Sequence, residues 1–160
     1  MKKIALIVLS ITFSLIIVEI LLRITGYKPW KNYETNQNII FEPIKNLGWK
    51  SKKGTYTISA GNTNNKSEIS IGEKGNRLNQ IENIGGNKSK IIFVGGSFTQ
   101  GWGVNDNQTF VSKIQNKYLN YNVLNFGQGG YGGVQSLILL KDEIKNLKNI
   151  KLVVYGFIEH

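Results

Sequence analysis

Cysteine is missing from this 160-residue chain, and histidine occurs once, at the last position. The first absence excludes disulfides, thiolate zinc sites and a cysteine nucleophile. The second leaves no set of imidazoles for a transition-metal site, so neither a metal nor another cofactor is expected. Acidic residues are also few, 10 against 20 basic ones, for a net charge of +10. The lysines are scattered, the densest cluster being Lys50, Lys52 and Lys53. No stripe of arginine and aromatic residues accompanies them. Nucleic acid is therefore not an expected partner, and the charge reads as a general attraction to anionic surfaces. At 41% hydrophobic residues, the chain has the material for one ordinary domain.

What is present is unevenly placed. Ile4 to Leu22, IALIVLSITFSLIIVEILL, carries one charge, Glu19. A helix of that length spans about 28 Å, enough to cross a hydrocarbon core. The RITGYKPW that follows has no small-residue cleavage site, so residues 1–25 read as a retained membrane anchor and not as a cleaved signal. Glu19 and Arg23 stand at i,i+4 in the favourable order for an ion pair. Lys2 and Lys3 with the amino group nearly balance Arg23, Lys28 and Lys31, so charge leaves the orientation open.

Residues 26–87 are polar and rich in Asn, Lys and Gly, and read as a connector with a short β extension. Two alternating runs, LGWKSKKGTYTISA and SEISIGEKGNRL, flank GNTNNK and predict a hairpin. From residue 88 the pattern becomes regular. KIIFVG, NVLNF and KLVVYGF read as buried strands, with helices through TFVSKIQNKYL and VQSLILLKDEIKNL between them. Asp106 or Asn107 is expected to cap the first helix, with Phe110, Ile114 and Tyr118 on its apolar face. Leu137, Leu140, Ile144 and Leu147 mark the apolar face of the second. Strand and helix in alternation predict an α/β fold with a parallel sheet.

In such sheets ligands sit outside the carboxyl ends of the strands. The three strands end at GGSFTQG, GQGGYGG and GFIEH, which gathers Ser97, the 127–133 glycine loop and Gly156 on one edge. Glycine there lets backbone N–H groups approach a ligand, and a serine among such donors has the makings of a nucleophile with an oxyanion site.

VGGSFTQGWGVNDNQTF and NFGQGGYGGVQ resemble the first two sequence blocks of the SGNH hydrolases, the GDSL-type esterases. LVVYGFIEH resembles the third block imperfectly, with Ile158 and Glu159 where the family's Asn belongs. LGWKSKKGTY, IGEKGNRLN and an anchor ending in ILLR are similar to the N-terminal part of membrane-anchored members. The resemblance implies a flavodoxin-like sheet with flanking helices, and Ser97 as nucleophile with the Ser97 and Gly130 amides as oxyanion donors. Trp102, Gly156 and Glu159 are the expected substrate-binding residues. It implies ester hydrolysis or acyl transfer at the cell envelope, with O-acylated surface polysaccharide as a substrate and the domain outside the cytoplasm. The family's Asp-x-x-His is not found after Ser97, and Phe157 stands three residues before His160. Residues 88–160 are thus expected to be a partial SGNH domain, the N-terminal part of a longer protein.

Two other readings compete. Gly127, Gly129 and Gly132 satisfy G-x-G-x-x-G after a strand, with Glu159 ending the next strand, as in a dinucleotide-binding unit. That acid comes later than the usual spacing, and the preceding Gly-Gly-Ser turn goes unexplained. A non-catalytic anchored module is the other alternative. Thr99 stands where a G-x-S-x-G elbow needs its last glycine, and no Lys-Ser/Thr ends the loop as in a P-loop.

Overall fold

The computed structural model describes residues 2–27, 40–59, 66–79 and 88–158. They fall into two units, divided near residue 32. The first is a single helix, α1 (Lys2–Ile24), whose described side chains are all exposed. It is long and apolar enough to cross a membrane or to serve as a signal sequence. Its hydroxyls bond back one turn, Thr12 to the Val8 carbonyl and Ser14 to the Ser10 carbonyl, both at 2.9 Å. Glu19 and Arg23 pair at 2.8 Å. The helix therefore satisfies these polar groups by itself.

The second unit is mixed α/β. It opens with two antiparallel hairpins: β1 (Phe41–Ile44) with β2 (Gly48–Ser51), and β3 (Gly54–Ser59) with β4 (Lys66–Ile71). The second is the hairpin expected around GNTNNK. Then come β5 (Lys90–Gly95), the short helix α2 (Ser97–Gln100), a 3₁₀ turn at Asp106–Gln108 and α3 (Phe110–Lys117). β6 (Asn122–Gly127), α4 (Gly133–Ile144) and β7 (Ile150–Gly156) follow. β5 lies between β6 and β7 and pairs with both in parallel, which is the sheet predicted from the alternation of elements.

β5 explains its composition by being covered on both faces. Ile92 and Val94 pack with Phe126, Leu139, Leu47 and Tyr131; Phe93, pointing the other way, packs with Val111 and Val123. The hairpins thus contribute Leu47 directly to the sheet's core. A third cluster, Ile40, Tyr56, Ile58, Ile69 and Ile71, lies within the hairpin region, with Phe41 and Trp102 against it.

Two helical expectations need correction. Thr109 caps α3, its hydroxyl accepting from Ser112 N at 3.0 Å, because Asp106 is committed to Arg77 and to the Ser70 amide. The buried face of α3 runs through Val111, Ser112 and Gln115, with Ile114 packed beside it as expected, while Phe110 and Tyr118 are exposed. Of the face expected on α4, Leu140 and Leu147 pack against the core, while Leu137 and Ile144 face outward and the fully buried residues are Ser136 and Leu139.

Candidate active site

The three parallel strands end level, with Gly95 opposite both Gly127 and Gly156. These glycines form a flat seat for the turn that carries Ser97. A Cβ on Gly127 would overlap the Gln100 amide nitrogen, and one on Gly156 would overlap the Thr99 hydroxyl. A Cβ on Gly95 would stand 2.7 Å from the Gly156 carbonyl oxygen. The overlap at Gly127 cannot be relieved without moving the backbone of α2, and that between Gly95 and the Gly156 carbonyl without moving β7. Asn125, fully buried, locks the same turn: its Nδ2 donates to the Thr99 carbonyl at 2.9 Å and its Oδ1 accepts from Gly127 N at 3.0 Å. The seat fixes how far α2, and with it Ser97, stands above the sheet.

Ser97 opens α2, so its amide has no acceptor inside that helix. Among the described residues its hydroxyl has no hydrogen-bond partner. The residue before it, Gly96, touches the second loop: a Cβ there would lie 3.1 Å from the Tyr131 carbonyl oxygen. Gly130 is exposed, at φ +79°, a conformation that favours glycine, and its amide donates to no acceptor among the described residues. The loop is held from behind. Trp49 Nε1 donates to the Gly129 carbonyl at 2.9 Å, the Tyr131 hydroxyl donates to the Trp49 carbonyl, and Gly132 N donates to Gln135 Oε1 at 3.2 Å. Two free amides and one free hydroxyl thus sit on adjoining loops at the carboxyl edge of the sheet.

The sequence gives no sign of the polar seam behind that edge. Arg77 is 1% exposed, and its guanidinium binds the carbonyls of Gln100, Gly101, Val104 and Glu68 together with the Asp106 carboxylate at 2.9 Å. Burial pulls this guanidinium below its ordinary pKa, and Asp106 pulls it back up. Gln128, fully buried, accepts from the Ser51 amide and hydroxyl at 2.8 and 2.7 Å and donates to the Gly75 carbonyl at 2.8 Å. Gln100 donates to the same Ser51 hydroxyl at 3.0 Å. The residues after Ser97 and those after β6 are therefore tied to the β1–β4 hairpins by fully desolvated hydrogen bonds. The alternating runs that hold Ser51 and Arg77 predict a hairpin, but nothing in them marks either side chain as buried.

Of the other expected site residues, Trp102 is half-buried, stacked on Phe41 at 6.2 Å, and lines a cleft of about 370 Å³ together with Ser97. Gly156 lies beneath Thr99 as part of the seat. Glu159 and His160 lie outside the described residues. No group of three or more metal-ligating side chains occurs among the described residues. In comparisons with known proteins, no family model matches the chain and no curated protein matches it.

Proposed function

We propose that this chain carries the nucleophile and the backbone oxyanion donors of a serine-dependent ester hydrolase or acyltransferase of the SGNH type. The sheet would be flavodoxin-like, tethered to a membrane through residues 4–22 and held outside the cytoplasm, where O-acyl groups of a surface polysaccharide are within reach. The observation that carries this reading is the unpartnered Ser97 hydroxyl at the glycine-seated rim, on a loop adjoining the free Gly130 amide. In the reaction, Ser97 Oγ attacks the ester carbonyl and gives its proton to a general base. The Ser97 and Gly130 amides hold the oxyanion, each donor worth about 3 kcal/mol in the transition state. The C–O bond breaks, the alcohol leaves with the proton, and water or an acceptor hydroxyl then takes the acyl group from the serine. The base is the part that the described residues do not supply; the family resemblance assigns it to an Asp-x-x-His segment.

The dinucleotide reading has less support, since α2 fills the space over Gly127 and Trp49 lies against Gly129 and Gly130. A fluorophosphonate probe applied to the gene's complete product in its own membranes tests the proposal. Labelling that disappears in Ser97→Ala is the expected result; equal labelling of both proteins, or of neither, contradicts it.

A further inference from the structure

The cleft beside Ser97 is walled mainly by large apolar side chains. Phe98, Trp102, Val104 and Phe110 are its apolar walls, around about 370 Å³; Ser97, Gly101, Gln108 and Thr109 complete the lining, with no charged side chain among the described residues. Two of the polar atoms nearby are already engaged. The Thr109 hydroxyl accepts from Ser112 N at 3.0 Å, and Gln108 Oε1 accepts from Asn105 N at 3.0 Å. The aromatic walls are braced from behind, Trp102 by Phe41 and Phe110 edge-on by Phe93 at 5.5 Å. A ligand therefore meets mostly apolar surface beside Ser97. A sugar ring would bring hydroxyls that find few partners there, whereas hydrocarbon needs none. Phe98 is 73% exposed at the cleft, an apolar area that a bound chain would cover.

We propose that this cleft is the acyl-chain subsite, and that the ester it serves carries an unbranched acyl group of several carbons in place of acetyl. The assignment rests on the serine reading above, and adds to it the side of the carbonyl on which the hydrocarbon lies. Each CH₂ laid against these walls strengthens binding about fourfold until the space is filled.

The test is a binding measurement that needs no turnover. The full chain carrying Ser97→Ala, in lipid nanodiscs, is titrated with ethyl esters from acetate to octanoate at measured free concentration, with empty discs subtracted. The readout is the tryptophan fluorescence change that a further Trp102→Phe exchange abolishes. Affinity should rise about fourfold per CH₂ and fall roughly tenfold for the longer esters in Phe98→Ala. Because Phe98 is exposed, that variant keeps its core. Binding that ignores chain length, or that survives Trp102→Phe unchanged, overturns the acyl assignment and leaves the serine reading standing. Chain-length-dependent binding by the Ser97→Ala chain, when no fluorophosphonate labels the protein that keeps Ser97, overturns both.

Discussion

The two neighbours of β5 are built from the same kind of sequence and live in different surroundings. On one flank, β6 buries Val123, Asn125 and Phe126, and the hairpins are sealed onto it through Arg77, whose backbone amide donates to the Asn125 carbonyl at 2.8 Å. On the other flank, β7 leaves Leu152 51% exposed and Tyr155 45% exposed, with Val153 also open. A β-branched run bounded by glycine reports that a strand is fit for burial on both faces. What covers it is written elsewhere in the chain. For β6 the open edge is sealed by a polar segment, and its hold depends on one guanidinium satisfying carbonyls from two separate stretches, β4 and residues 100–104.

That difference can be broken from the sealed side first. Arg77→Ala would leave the Asp106 carboxylate and several carbonyls without their donor, and should cost about 3–5 kcal/mol in a urea melt. Lysine cannot reproduce the fork, so Arg77→Lys should recover only part of the loss. Ile92→Ala, at the fully buried centre of β5, should cost about 2–5 kcal/mol by the same measurement. A loss under about 1 kcal/mol at either position would mean that the sealed flank is no tighter than the open one.

An alkaline titration sharpens the contrast with a smaller effect. Burial raises the phenols of Tyr131 and Tyr56 above their ordinary 10, the Glu42 charge adding to the rise at Tyr56. A raised group contributes stability that is complete below its unfolded value and is lost as pH climbs through the folded one. Urea midpoints should therefore hold up to about pH 10 and then fall. Tyr131→Phe should flatten part of that fall, and a fall unchanged in Tyr131→Phe would show that its phenol titrates alike in both states. The smallest effect belongs to β7: Leu152→Ala should change stability by no more than about 0.5 kcal/mol. A loss like that of Ile92→Ala would show that β7 is covered in solution.

The strands, their parallel sheet and the two glycine loops were legible because each signal is local: an apolar β-branched run, then glycine. Ser97 stood out for the same reason, a hydroxyl where side chains had otherwise been removed. The faces of α3 were misread because a glutamine occupies a core position. Gln115 is 1% exposed and spends its amide on the Tyr121 carbonyl and the Val123 amide, at 3.0 and 2.7 Å. Hydrophobic periodicity cannot register a buried residue whose role is to satisfy backbone. Arg77, Gln128 and Ser51 escaped for that reason too. Each is polar, and each is buried by partners far away in sequence.

The central claim is that the Ser97 hydroxyl and the Gly130 amide serve one reacting oxygen. A crystal structure of the protein after reaction with a fluorophosphonate tests this most directly. The account predicts phosphorus bonded to Ser97 Oγ, with one phosphoryl oxygen about 2.7–3.1 Å from both the Ser97 and the Gly130 amide nitrogens. An adduct on another residue, or a phosphoryl oxygen turned away from Gly130, would contradict it.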